Sequence, residues 1–181
     1  MANDAHELSW IRVVLIGRDP RVTLIRIAVI VVLVVLARAY VIAPIQVRGG
    51  SMLPTYQERG VNFVNRIAYL TSSPRRFDVV AIRFAGDHVM LMKRIIGMPG
   101  ETIEFRHGRV YINGQELTEP HMDFENYPCD WEMPPRQLGP DEYYVVGDNR
   151  SGPRELHEAG VVRGERFVGR ILLKKNLRWR R

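Results

Sequence analysis

Residues 89–101 read Val-Met-Leu-Met-Lys-Arg-Ile-Ile-Gly-Met-Pro-Gly-Glu, a largely apolar run that ends in glycine and proline. Such a run predicts a β-strand followed by a turn. Because residues two apart share a strand face, the neighbours of Lys93 on its face are Val89, Leu91 and Ile95. Desolvation by these side chains would lower the lysine pKa and make Lys93 a candidate general base. The alternative is a lysine that extends its amine into water from the strand end.

A candidate nucleophile precedes this strand. Residues 49–55 read Gly-Gly-Ser-Met-Leu-Pro-Thr. The glycines before Ser51 let another chain approach its backbone closely, and Met52 and Pro54 frame it with an apolar side chain and a rigid bond. This arrangement suits a serine that attacks an extended substrate. On local grounds alone, Gly-Gly-Ser is also typical of an ordinary flexible turn.

A third segment follows further along the chain. Residues 143–150 read Tyr-Tyr-Val-Val-Gly-Asp-Asn-Arg, a predicted strand that enters a tight polar turn. Without the other two segments it would indicate only a hairpin turn.

In this order, the three segments resemble the nucleophile, general-base and C-terminal boxes of bacterial type I signal peptidases. Residues 77–80, Phe-Asp-Val-Val, resemble that family's short strand motif, and the resemblance covers roughly residues 22–173. These are membrane-anchored Ser/Lys endopeptidases that remove signal peptides from exported proteins after Ala-x-Ala-type sites. The resemblance implies Ser51 as nucleophile, Lys93 as general base, preprotein signal peptides as partners, and no cofactor.

The resemblance also implies supporting roles near the oxyanion hole and around the lysine. The residues are Gly49, Gly50, Met52, Arg94, Asp148, Arg150 and Glu155. Gly49 stands where some relatives carry a serine hydroxyl, so backbone N–H groups, chiefly that of Ser51, would form the hole.

The segment after Arg150 departs from the family pattern. Pro153 replaces the usual serine, Glu155 the aspartate and His157 an arginine. In the family, these residues brace the catalytic lysine. We expect Glu155 to take the place of the acid and to pair with Arg94, which would hold the lysine strand in position.

An apolar run from Val22 to Ala37 precedes the three segments, and it is long enough to span a membrane if its helix continues to Pro44. The sequence thus predicts a transmembrane signal-anchor helix over residues 22–43. Arginines before the run favour a cytoplasmic segment over residues 1–21, and a peptidase domain over residues 44–181 on the extracytoplasmic side of the cell membrane. A buried core helix and a cleaved signal peptide are the alternatives.

The region after Pro44 is predicted to be mainly β. Short β-type runs alternate with turn signals, and Asn113-Gly114 between two apolar runs is a strong hairpin signal. The Pro-rich segment 119–140 is expected to be a surface excursion. The predicted fold is a signal-peptidase-like β domain tethered by one N-terminal transmembrane helix.

The few cysteines and histidines disfavour other kinds of active site. Cys129 is the single cysteine of the 181 residues, so no intrachain disulfide can form, and its polar surroundings disfavour a thiol nucleophile. The five scattered histidines lack zinc-ligand spacing, so we expect no metal. A triad of Ser51 with His157 and Asp148 is a less favoured alternative to the Ser/Lys dyad.

The net charge of +6 includes a basic C-terminal run over residues 174–181. No stacking or helix-turn-helix pattern accompanies it, so nucleic acid is not the expected partner. Contact with anionic phospholipid headgroups is the functional interpretation, and a solvated tail is the alternative. We expect a monomer. The alternative functions are a dedicated Ser/Lys maturation peptidase of the same superfamily and an inactive membrane-tethered β domain.

Overall fold

An apolar helix precedes a domain of antiparallel strands in the sequence. The computed structural model describes residues 19–84 and 89–175, and the chain divides into units over residues 1–41 and 42–181. Helix α1, Pro20–Leu36, starts at Asp19, whose carboxylate accepts a hydrogen bond of 2.9 Å from the main-chain N–H of Arg21. A π-helical turn, Ala37–Val41, follows it.

The large apolar side chains from Val22 to Leu36 are exposed. In the part of the chain that the structure describes, no helix is both long and apolar enough to cross a membrane. The transmembrane helix predicted over residues 22–43 is therefore not confirmed. Its last two residues, Ile42 and Ala43, instead begin the first strand, where they pair with Asn65 and Val64. The N-terminal residues 1–18 and the C-terminal residues 176–181 lie outside the described part.

Two antiparallel sheets form the second unit. In chain order, the strands are β1 Ile42–Gln46, β2 Val61–Asn65, β3 Val79–Phe84, β4 Val89–Gly97, β5 Thr102–Arg106, β6 Arg109–Ile112, β7 Gln115–Glu116, β8 Met133–Gln137, β9 Glu142–Val146, β10 Glu158–Arg163 and β11 Phe167–Ile171. The larger sheet has the order β1-β2-β11-β3-β4-β9-β10, and the smaller has the order β7-β6-β5-β8. A short helix α2, Arg154–His157, precedes β10. The prediction of a mainly β domain is confirmed.

The sequence signals explain the meander of the smaller sheet. Asn113 and Gly114 have φ values of +51° and +79°. A two-residue type I′ hairpin needs such left-handed backbone at both positions. They join β6 to β7, in which Ile112 pairs with Gln115. The predicted hairpin is confirmed.

The prediction for the Pro-rich segment 119–140 was wrong in part. It contains the edge strand β8, which pairs with β5, and it buries Glu119, Trp131 and Leu138. Pro134 and Pro135 are compatible with β8 because an edge strand has no ladder partner on one side. The segment therefore contributes to the core against Ile103, Phe105 and Tyr144.

Candidate active site

Ser51 lies in the turn between β1 and β2. Gly49 has a φ of +83°, which favours glycine, and no heavy atom lies within 4 Å of a Cβ placed there. The turn is closed by hydrogen bonds from the N–H of Leu53 to the carbonyl of Gly50 (3.1 Å) and from the N–H of Tyr56 to that of Met52 (2.8 Å). Met52 is 1% exposed and anchors the turn in a buried apolar cluster.

Lys93 lies in the middle of β4 and is buried, with 4% of its surface exposed. It is directly opposite Val80 of β3. Strand alternation puts Lys93 on one face with Leu91 and Ile95, as the sequence predicts, and Ile95 and Val80 are buried in one apolar cluster. Lys93 therefore belongs to a strand of the core and is largely shielded from solvent.

A cavity of about 490 Å³ lies beside Ser51. Its lining is mostly apolar and includes Ile45, Val47, Met52, Ala81, Leu91 and Met92. Leu91 shares the strand face of Lys93, and Met92 is the residue before it. The cavity therefore adjoins both the serine turn and the strand that carries the lysine.

The turn after β9 binds the serine turn through Asn149. The main-chain N–H of Asn149 donates to the carbonyl of Ser51 (3.0 Å), and its Nδ2 donates to the carbonyl of Gly50 (3.1 Å). The Oδ1 of Asn149 accepts from the hydroxyl of Ser151 (2.6 Å) and from its N–H (3.0 Å). These bonds fix the orientation of the Asn149 amide.

The same turn binds the lysine strand through Asp148. Arg94 donates from Nε and Nη2 to the two carboxylate oxygens of Asp148, at 2.7 and 2.6 Å, and from Nη1 to the carbonyl of Phe77 at 2.9 Å. Asp148 is fully buried. A bidentate pair of this kind gives strong geometric control, so two consecutive residues fix the serine turn and β4 relative to each other.

Residues 21–174 match the family described as signal peptidase, peptidase S26. The chain belongs to the signal peptidase family. The predicted family and enzyme class are confirmed.

Curated relatives agree with this assignment. The chain is 32% identical over 152 residues to signal peptidase I V of Bacillus subtilis (strain 168), which covers 78% of this chain and 90% of that protein. It is 35% identical over 131 residues to a signal peptidase I of Bacillus amyloliquefaciens, which covers 68% of this chain and 70% of that protein. A solved signal peptidase I of Enterococcus faecalis V583 has 30% identity and a TM-score of 0.43, over 55% of this chain and 97% of that chain.

One supporting residue that the family pattern suggested is not at the site. Glu155 lies in α2 with an exposed side chain, and within residues 19–84 and 89–175 no hydrogen bond or ion pair joins it to Arg94. The prediction of a Glu155–Arg94 pair is wrong. The reason is strand register. Arg94 of β4 pairs with Val146 of β9, and Asp148, two residues after Val146, is therefore close enough to bind the guanidinium of Arg94 in place of Glu155. The side chain of His157 lies outside the described residues.

Sequence reasoning missed two residues of the Pro-rich segment, the buried Glu119 and the partly buried His121. Glu119 accepts a hydrogen bond of 2.7 Å from Nη2 of the predicted supporting residue Arg150. His121 has its Nε2 3.6 Å from Glu119 and 3.8 Å from Asp148. No local motif marks either residue, because their partners are distant in sequence.

Burial sets the protonation of the titratable groups around Asp148. It lowers the pKa of His121 to about 4, with further lowering by Arg94 and an opposing contribution from Asp148. Burial also raises the pKa of Tyr56 to about 12, against a lowering by Arg94. At neutral pH, the imidazole and the phenol are therefore both uncharged.

A cysteine nucleophile and a metal site have less structural support than the Ser51–Lys93 dyad. Burial raises the pKa of the Cys129 thiol, which disfavours the reactive thiolate. Cys129 lines a different cavity, next to Trp131 and Gly152. Among the residues that the structure describes, no three His, Cys, Asp or Glu side chains are grouped to hold a metal ion.

Proposed function

We propose that this protein is a membrane-bound serine endopeptidase that removes N-terminal signal peptides from exported preproteins after Ala-x-Ala-type sites. The observation that carries this proposal is the pair of hydrogen bonds from Asn149 to the serine turn, next to the Asp148–Arg94 pair on the lysine strand. Together they support a fixed relation between Ser51 and Lys93.

In the proposed reaction, the Ser51 hydroxyl attacks the carbonyl carbon of the scissile peptide bond. The neutral Lys93 amine accepts the hydroxyl proton and passes it to the leaving amine, so that the peptide bond breaks and an ester to Ser51 remains. A water molecule then gives a proton to Lys93 and attacks the ester, and Lys93 returns that proton to the leaving Ser51 oxygen, which releases the acid and restores both the serine and the neutral amine. The N–H of Ser51 is the proposed main donor to the oxyanion, with no side-chain hydroxyl at Gly49 to assist.

The burial of Lys93 supports its proposed role as base. A buried lysine is more easily held as the neutral amine, because desolvation penalises the ammonium form. An arginine at the same position could not act in this way, since a guanidinium keeps its proton in proteins.

The cavity beside Ser51 supports the proposed substrate class. It is lined mostly by aliphatic and methionine side chains, and Ala81 contributes to its wall. Such a surface favours apolar side chains over polar ones, and the proposed preference for small residues rests on the family to which the chain belongs. The substrate residue just before the cut is the one we assign to it.

We infer that residues 22–36 attach the protein to a lipid bilayer. The support is that large apolar side chains are exposed along this part of α1, which is typical of a helix that is covered by lipid or by another protein. A cytoplasmic N-terminus and an extracytoplasmic peptidase domain complete the proposed single-pass topology. Resistance to alkaline carbonate extraction from membranes tests the attachment.

The experiment for the activity uses the full chain in detergent and a precursor with an Ala-x-Ala site. We expect wild-type protein to release the signal peptide after the second alanine, and Ser51→Ala to be inactive although folded. Ser73→Ala is the matched control, because Ser73 is exposed, and it should cleave like wild type.

Three other outcomes would contradict this proposal. Cleavage by Ser51→Ala would show that Ser51 is not the nucleophile. A wild-type protein without activity on any precursor would support the inactive-domain alternative. Cleavage of a single precursor in a panel would support a dedicated maturation peptidase.

A further inference from the structure

The turn from Gly147 to Arg150 has a third contact that the proposed mechanism does not use. Asp148 binds β4, Asn149 binds the serine turn, and Arg150 binds Glu119 of the Pro-rich segment. Three consecutive side chains thus reach three separate parts of the chain. The first two contacts involve the candidate catalytic segments directly, and the third joins the turn to the Pro-rich segment.

The Glu119–Arg150 pair is buried on both sides. The side chains of Glu119 and Arg150 are 2% and 0% exposed, and the hydrogen bond between them is 2.7 Å long. The Nε of Arg150 also donates to the carbonyl of Gly147 at 2.8 Å. The same guanidinium therefore closes the turn on itself and binds the carboxylate. A charge in this position needs its partner, because it has little access to water.

His121 lies between this pair and the Arg94–Asp148 pair, without a hydrogen bond from its Nε2 among the described residues. Its Nε2 lies between the carboxylates of Glu119 and Asp148, and its ring packs edge-on against Phe77 with centroids 5.3 Å apart. The carbonyl of Phe77 accepts from Arg94. Glu119, His121 and Asp148 are therefore parts of one packed polar group that ends at the residue after Lys93.

We propose that Glu119 is a positioning residue of the active site, which holds Arg150 and thereby fixes the turn that aligns Ser51 with Lys93. The inference rests on the proposed function. It assigns to a carboxylate of the Pro-rich segment a bracing role, through Arg150, that the sequence did not indicate. Glu119 touches neither substrate nor the reacting atoms, so its effect is on alignment.

The charge and the length of this side chain have separate consequences. Glu119→Gln keeps the shape but leaves the buried Arg150 guanidinium without an anion, so the turn can shift. Glu119→Asp keeps the charge and shortens the side chain by one methylene. If alignment is the role, the aspartate variant should recover part of what the glutamine variant loses.

The matched control is Glu104→Gln. Glu104 is a buried carboxylate of β5 that is also paired with an arginine, Arg106. That pair belongs to the smaller sheet, and its arginine is half exposed. Loss of a buried carboxylate at this position measures the general effect of such a change on the fold.

The experiment measures kcat, KM and the thermal midpoint of the full chain in detergent with one precursor. Glu119→Gln should lower kcat at least about tenfold with KM within about twofold of wild type, because alignment affects the transition state more than binding. The kcat of Glu119→Asp should lie between those of wild type and Glu119→Gln, and Glu104→Gln should keep wild-type kcat. A Glu119→Gln enzyme with kcat equal to that of the control, or with a change in KM alone, overturns the inference.

A double variant keeps the test valid if Glu119→Gln unfolds. In Glu119→Gln with Arg150→Met, both charges are absent, so the midpoint should return towards wild type, while kcat should stay low because the turn is no longer held. Wild-type kcat in a double variant of restored midpoint also overturns the inference. The outcome for the proposed function is separate: an active Ser51→Ala enzyme refutes that function, whereas an inactive Ser51→Ala with a fully active Glu119→Gln refutes only the role of Glu119.

Discussion

The main-chain N–H of Asn149 is hydrogen-bonded to the carbonyl of Ser51 at 3.0 Å, and its side chain reaches the carbonyl of the preceding glycine. Asn149 thus holds the backbone of the proposed nucleophile from a turn almost a hundred residues later in the chain. This relationship gives the first prediction.

Asn149→Asp should lower kcat by about 10- to 100-fold with little change in KM, because a carboxylate cannot donate to the Gly50 carbonyl and repels it. Steady-state cleavage of a precursor measures the effect. Asn126→Asp is the control, since Asn126 is exposed and bonds locally to Asp123. Wild-type kcat in Asn149→Asp would show that the main-chain bond alone is sufficient.

Activity should rise with pH from about 6 to an optimum near 8 or 9, because Lys93 must be neutral to accept the serine proton. Lys93→Ala and Lys93→Arg should each be inactive, and Ser51→Ala combined with either should be little worse, because the two residues act as one unit. A profile of kcat against pH that is flat down to pH 5 contradicts a lysine base.

The ion pair of Arg94 with Asp148 should matter more than the exposed Glu155. Asp148→Asn leaves a buried guanidinium without an anion and should lower the free energy of unfolding by roughly 3 kcal/mol, with loss of activity. Glu155→Ala should change that free energy by less than about 0.5 kcal/mol. Denaturant unfolding and precursor cleavage measure both. A large loss of stability or activity in Glu155→Ala would instead support the role in bracing the lysine strand that the sequence suggested for Glu155.

Protonation of His121 should destabilise the fold in acid. Its pKa is lowered from 6.5 to about 4 in the folded protein, so the unfolded chain binds the proton first as the pH falls, and stability is lost from about pH 6.5 down to about pH 4. Between pH 7 and 4.5, wild type should lose roughly 2–3 kcal/mol more than His121→Gln.

Urea unfolding at the two pH values measures this difference. The control is His107→Gln, because the side chain of His107 is 96% exposed, and it should lose as much stability as wild type. Parallel losses in wild type and His121→Gln would show that His121 does not titrate in this range.

Cleavage should depend on a small residue just before the cut. A precursor with Leu or Phe in place of the alanine should be cut at least about 100-fold more slowly if the enzyme has the proposed Ala-x-Ala specificity. Met92→Ala enlarges this cavity and should reduce the discrimination. Equal rates for the alanine and phenylalanine precursors with wild type would contradict the assignment of the cavity.

The sequence predicted those parts of the site that depend on neighbouring residues. Strand alternation predicted the face of Lys93. The Asn113-Gly114 pair predicted the hairpin of the smaller sheet. Each of these features depends on a few consecutive residues, so a local pattern is sufficient.

Contacts between distant segments could not be predicted in the same way. The partner of Arg94 depends on the pairing of β4 with β9, which brings Asp148 to the guanidinium. The burial of Glu119 depends on the path of the Pro-rich segment over the smaller sheet. Neither contact leaves a periodic signal in the sequence, and a carboxylate that binds a distant arginine looks like a surface residue until the topology is known.

The position of β11 imposes an order of assembly on this protein. β11 is the last strand that the structure describes, yet it lies between β2 and β3, where Ile171 pairs with Val64 and Arg170 with Val80. During synthesis, the serine and the lysine leave the ribosome on segments that cannot yet be joined within one sheet. Pairings between residues so far apart form slowly and late. Under the proposed mechanism, the nascent chain therefore carries its reactive groups apart, and proteolytic competence arises only after translation has supplied the strand that unites them.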